Sequence, residues 1–201
     1  MTETTNTQTL LITQRRDWVE AFTGFEAANH YTVMDTAGRE IFHAAEESGF
    51  LGRNFLKAFR PFTMHVLSPD GEEKLRIRRP FKLFFHELEI RYADGGLVGF
   101  VRRRFSILRR LYGVEDDNGQ ELYELFGPIL HPWTLYVRQA GVQIGRITKR
   151  WSGFVAEAFT TADNFVAEWP GDLPETDKAL LLSAAFLVDY VHFEQKRRNN
   201  R

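Results

Sequence analysis

The residues most able to do chemistry in this sequence are basic. Lys74, Arg76, Arg78, Arg79 and Lys82 form one cluster, and Arg102, Arg103, Arg104, Arg109 and Arg110 form another. Residues 53–110 hold 14 Lys/Arg against 6 Asp/Glu, a balance of +8, so the remainder carries −9 inside a net charge of −1. Such a surface attracts anionic lipid headgroups, each basic residue contributing about 1 kcal/mol near an anionic membrane. Arg76, Arg78, Arg79, Lys82, Arg102, Arg103 and Arg104 are the candidate lipid-binding set. The plainer reading is that alternating arginines mark the solvent face of strands. Nucleic acid is the lesser partner, because no recognisable reading module is present.

A second group is acidic. The stretch Thr161 to Asp172 carries Asp163, Glu168 and Asp172. Calcium takes six to eight oxygens, several from carboxylates, and three acids supply only part of such a shell. Val166 stands where an EF-hand loop would need its glycine. If the run is a strand, alternate residues point to opposite faces and cannot converge on one ion. The acids would then simply be solvated.

Covalent catalysis finds little support, and no enzyme is expected. The six His (His30, His43, His65, His86, His131, His192) lack ligand-pair spacing. No nucleophile elbow, Walker loop or dinucleotide fingerprint occurs. The chain has no Cys, which excludes a cysteine nucleophile, thiolate metal sites and disulfides.

The elements that must position these side chains read mostly as strands. With 201 residues and 43% hydrophobic content, the chain can bury a proper core. Short alternating runs recur at Tyr31–Met34, Thr63–Leu67, Lys74–Arg79, Glu87–Tyr92, Leu97–Arg102, Thr134–Arg138 and Gln143–Thr148, separated by turn signals such as Asp35-Thr36-Ala37-Gly38 and Asn118-Gly119. About twelve strands fit before residue 170. An internal repeat supports two related halves: Tyr31-x-Val33-x-Asp35-x-x-Gly38 returns as Tyr112-x-Val114-x-Asp116-x-x-Gly119, and Pro61-Phe62-Thr63 returns as Pro132-Trp133-Thr134. A third hairpin, Gly95-x-x-Val98-Gly99, matches Gly141-x-x-Ile144-Gly145.

One segment is different. Residues 177–195 hold an uninterrupted apolar run from Ala179 to Val188. That is short of the roughly 20 residues a membrane span needs, yet it is apolar on nearly all faces, so it must be buried. Barrels of about twelve strands are too wide for wall side chains alone to fill. The expected fold is therefore mainly β: a closed barrel of about twelve antiparallel strands around a hydrophobic C-terminal helix. The 18 Phe are expected between wall and helix. The expected organisation is a disordered 1–9, a domain over 10–195 with halves at about 26–95 and 96–170, and a basic tail at 196–201.

These residues resemble the phospholipid scramblase family, which shares a barrel-around-a-helix fold with tubby and LURP-one-related proteins. The likeness runs from about Leu10 to Phe193. It is carried by Gly24-Phe25-Glu26, Arg60-Pro61-Phe62-Thr63, Gly145-x-Ile147-x-Lys149-x-Trp151-x-Gly153, Glu157-Ala158-Phe159-Thr160 and Ala162-Asp163-Asn164-Phe165. The resemblance implies passive transbilayer movement or binding of phospholipids, and a calcium-binding acidic stretch in which Thr161 replaces the family's first acidic ligand, leaving Asp163, Glu168 and Asp172 as candidate ligands of a weak, millimolar site. The alternative is a soluble tubby-like module binding anionic lipid, another ligand or a protein. Many family members carry a lipidated cysteine cluster, and this chain has none. Expected partners are anionic phospholipid headgroups or a membrane surface, with a monomer favoured. The N-terminus lacks signal-peptide character, so the expected location is cytoplasmic, peripheral at the plasma membrane, ahead of anchoring by the C-terminal helix.

Overall fold

The structure, a computed structural model, describes residues 6–15, 27–47, 61–80, 87–106, 109–131, 133–150 and 164–188. Among them lie twelve strands and one helix. The strands are β1 (Thr7–Arg15), β2 (Ala27–Met34), β3 (Glu40–Glu47), β4 (Phe62–Leu67), β5 (Glu73–Arg79) and β6 (Glu87–Tyr92). They continue as β7 (Leu97–Arg104), β8 (Arg110–Asp116), β9 (Glu121–Gly127), β10 (Thr134–Gln139), β11 (Val142–Arg150) and β12 (Asn164–Pro170), followed by α1 (Glu175–Val188). Each strand pairs antiparallel with its neighbours in sequence, and β12 pairs with β1 to close the ring. Closure leaves no unpaired sheet edge to aggregate.

Alternation decides the two faces. On β5, Leu75, Ile77 and Arg79 are buried while Lys74, Arg76 and Arg78 are exposed. The same period of two points Ile12, Val33, Met64, Ile90, Val101, Leu125, Val137, Ile147 and Ala167 inward. α1 occupies the space they enclose. Leu180 through Leu187 are buried without a break and join the wall residues in a single core cluster. The helix therefore fills the lumen, and the ring of Phe186 meets that of Tyr31 at 5.2 Å. Ser183, the one hydroxyl in the run, donates to the Ala179 carbonyl at 2.8 Å and so leaves no unsatisfied group.

The repeated motifs are repeated in three dimensions. Asp35 Oδ1 accepts from the backbone N–H of Ala37 and Arg39, and Asp116 Oδ1 accepts likewise from Asn118 and Gln120. Gly38 and Gly119 take the left-handed φ each turn requires, +77° and +78°. Gly99 and Gly145 are also alike: a Cβ would lie 2.1 Å from the Glu115 carbonyl oxygen or 2.2 Å from that of Glu168. β2 and β8 stand six strands apart, as do β4 and β10.

Most of the 18 phenylalanines lie outside the described residues, and those described are divided between the core and the outer face. Phe62, Phe165 and Phe186 are buried. Phe100 and Phe126 instead lie beneath arginines, with the Arg102 guanidinium 4.2 Å from the Phe100 centroid and that of Arg138 3.9 Å from Phe126. A guanidinium plane covers an aromatic face well, so these rings need no core position.

Topology divides the barrel into two ends. At one, residues 35–39, 68–72, 93–96, 117–120 and 140–141 join strands by short turns. At the other lie the strand ends that flank the longer connections, 16–26, 48–61, 80–86, 105–109, 128–133 and 151–163. α1 enters from the short-turn end, since it follows the C-terminus of β12, and it runs toward the long-loop end.

Candidate functional site

The candidate arginines do not share one face. Arg76 and Arg78 project outward from β5, whereas Arg79 is 3% exposed and belongs to the interior. On β7 the inward Val101 sets the pattern, so Arg102 and Arg104 point outward and Arg103 points to the inner rim. The β7–β8 register agrees, placing Val101 opposite the buried Val114 and Arg103 opposite the buried Tyr112. Lys82 lies outside the described residues.

Carboxylates on the same or nearby strands engage three of the four outward candidates. Arg102 Nε donates to Glu87 Oε2 on β6 at 2.8 Å, and its Nη1 meets Glu115 on β8. Arg104 pairs with Glu121 over Gly113, where the missing side chain leaves room for both groups. Arg76 pairs with Glu73 at 2.7 Å, and His65 Nδ1 approaches the other oxygen of the same carboxylate at 2.7 Å. Hydrogen bonding to Glu87 and the charge of Glu115 hold the Arg102 pKa above its ordinary value. Burial works to raise the Glu73 pKa, but the hydrogen bonds from Arg76 and His65 outweigh it and the net shift is downward. The outer wall of β5 to β9 is thus a lattice of alternating charge, unlike the apolar band that a membrane-spanning barrel turns to lipid.

Three arginines stand apart. Among the described residues, Arg78, Arg103 and Arg109 make no ion pair. Arg103 lies near Tyr112, as do Arg79 and Arg110. Burial pushes the Tyr112 hydroxyl up to about 12, and the three cations oppose that shift only in part. Arg110 Nη2 donates to the carbonyls of His131 at 3.1 Å and Thr134 at 3.3 Å. The inner rim at the long-loop end is therefore strongly basic.

Two of the three acidic candidates, Glu168 and Asp172, are among the described residues. β12 is a strand of seven residues, about 23 Å long at the usual rise. Asp163 precedes it and lies outside the described residues, while Asp172 follows it, exposed in the turn before α1. Glu168 projects outward between them and pairs with Arg146 on β11. No cluster of three metal-ligating side chains occurs among the described residues. Of the three candidates, only Glu168 and Asp172 are among the described residues, and Glu168 is already engaged by Arg146.

Sequence reasoning missed the partners. Glu87, Glu115 and Glu121 neutralise the wall, but only the strand register reveals them. It also missed a polar chain inside the lumen. Gln14 Nε2 donates to Asn29 Oδ1 at 2.9 Å, and Asn29 Nδ2 donates to the buried Glu46 at 2.5 Å. Polar residues at inward positions of β1, β2 and β3 were its only signal. No helix among the described residues is long and apolar enough to cross a membrane.

Comparison with known proteins gives this arrangement a context. The chain is 32% identical over 200 residues to phospholipid scramblase 1 of Mus musculus, covering 92% of this chain and 61% of the relative. It is 31% identical to phospholipid scramblase 2 of Homo sapiens, covering 94% and 68%. It is 29% identical to phospholipid scramblase family member 5 of Homo sapiens, covering 92% and 73%. The chain thus spans about three-fifths of the length of the mouse protein. No solved structure matches it. The scramblase family model matches residues 1–195, and the chain belongs to the scramblase family.

Proposed function

We propose that this protein acts on membrane phospholipids without covalent chemistry, binding them and promoting their passive movement between leaflets. One observation carries this reading: the match to the scramblase family over residues 1–195, with curated relatives named phospholipid scramblases. The basic rim suits it, since anionic headgroups are drawn to uncompensated arginines. The lumen offers no path for a lipid, because Leu180 to Leu187 pack it closed. Headgroup contact then falls to the outer surface and the rim of the barrel.

The test is reconstitution into vesicles with a fluorescent lipid analogue in both leaflets, followed by dithionite. Movement between leaflets lets dithionite bleach more than the outer half of the signal. Bleaching no greater than in empty vesicles, with the protein shown by co-sedimentation to be bound, overturns the translocation half of the reading. Failure to co-sediment overturns both halves.

A further inference from the structure

Most large apolar side chains of the described barrel are inside it, yet three are strongly exposed at the long-loop end. Phe105 is 80% exposed, Ile129 62% and Leu130 88%. Phe105 follows β7. Ile129 and Leu130 are the two central residues of a turn closed by His131 N–H donating to the Pro128 carbonyl at 3.3 Å. Those positions ordinarily carry Gly, Asn, Asp or Ser. Described residues of both connections are hydrogen-bonded: the Arg109 N–H donates to Ser106 Oγ at 3.1 Å, and Arg110 bridges from β8 to the His131 and Thr134 carbonyls. Arg110 therefore ties the start of β8 to the connection that carries Ile129 and Leu130.

Charge at this end is arranged to match. At the short-turn end and along the wall, arginines are neutralised: Arg39 by Asp35, Arg91 by Glu89, Arg76 by Glu73, Arg102 by Glu87 and Glu115. The described arginines without a carboxylate, Arg78, Arg103 and Arg109, all lie toward the long-loop end. Of the acids described there, Glu87 is taken by Arg102, Glu46 is buried, and Glu47 at the end of β3 sits beside His65 of β4, its charge also reaching Arg76. Exposed apolar tips on the same end as uncompensated cations suit a surface that enters an anionic bilayer interface.

We propose that the long-loop end is the membrane-docking face, which inserts Phe105, Ile129 and Leu130 among the acyl chains of an anionic leaflet while Arg78, Arg103 and Arg109 hold its headgroups. This rests on the phospholipid reading above and adds the orientation. The barrel axis then stands toward the membrane, and the wall of paired charges stays in water.

The absence of cysteine makes the test direct. Single variants Phe105→Cys, Leu130→Cys and Val142→Cys are labelled with an environment-sensitive fluorophore. Val142 is 66% exposed but lies at the short-turn end, so it is the internal control. With phosphatidylcholine vesicles containing phosphatidylserine, emission at positions 105 and 130 should rise severalfold and shift to the blue, with position 142 unchanged. In Arg103→Glu and Arg109→Glu, vesicle affinity at low salt should fall about fivefold per arginine. Co-sedimentation without a change at 105 and 130 overturns this orientation and leaves the phospholipid reading standing. No co-sedimentation at all sinks both. A rise at 105 or 130 that depends on protein concentration without vesicles assigns the face to a second copy and overturns the proposal. Melting curves of the labelled variants should match the parent, because all three sites are exposed.

Discussion

The Tyr123 hydroxyl donates to Asp177 Oδ2 at 2.5 Å, joining the inner face of β9 to the first turn of α1. Tyr123 is otherwise buried among apolar side chains. The bond gives its hydroxyl a partner and fixes where the helix enters the barrel. Glu175 and Asp177 also place negative charge at the positive end of the helix dipole.

Tyr123→Phe should therefore destabilise the fold by roughly 1.5–3 kcal/mol, the range for a hydrogen bond to a charged group. Urea denaturation measures it. A midpoint equal to the parent's would show that the helix is held by packing alone.

High pH should unfold the protein more readily than its net charge suggests. Burial raises the pKa of Tyr112 to about 12, and burial with the Asp177 bond raises that of Tyr123 further. Below pH 10 both folded and unfolded chains hold these protons, and stability is unaffected. Above it the unfolded chain releases protons that the folded chain keeps, so stability falls as pH rises. The loss from Tyr112 alone reaches on the order of 2 to 3 kcal/mol by about pH 12. Tyr112→Phe should flatten the alkaline limb of a plot of stability against pH, and an unaltered slope would contradict the burial argument.

The lumen should be intolerant of small residues. Leu181 is fully buried within α1, so Leu181→Ala should cost about 2–5 kcal/mol. Val142→Ala, at an exposed turn, should cost within about 0.5 kcal/mol. Gly145→Ala should be far more severe than its size implies, because the added carbon would meet the Glu168 carbonyl oxygen. Thermal melts of the three variants, compared side by side, check the ranking.

Calcium at millimolar concentration should leave the melting temperature unchanged. Glu168 is already paired with Arg146, and no cluster of three metal-ligating side chains occurs among the described residues. A rise of several degrees, abolished in Asp163→Ala, would mean that the ion assembles its ligands from elsewhere.

Much of the fold is legible in the sequence. Strands of period two, Asp–Gly turns and an apolar run too short to span a membrane imply a closed barrel with a helix inside it. Each is a local pattern, and a twelve-strand lumen needs a filler. Leu180 to Leu187 occupy it as that argument requires. The site is less legible. Counting charge over residues 53–110 finds the basic excess but not its compensation, because Glu87, Glu115 and Glu121 reach the arginines across strands.

Residue types and their spacing were sufficient to set the strands, the turns and the need to bury the final helix, since those depend on neighbours a few positions away. Which arginines remain uncompensated was decided only in three dimensions. Arg102 and Arg103 are adjacent in the chain, yet one meets two glutamates on the wall and the other faces the rim beside Tyr112. Strand pleat turns consecutive side chains to opposite faces, and barrel closure decides what each face meets.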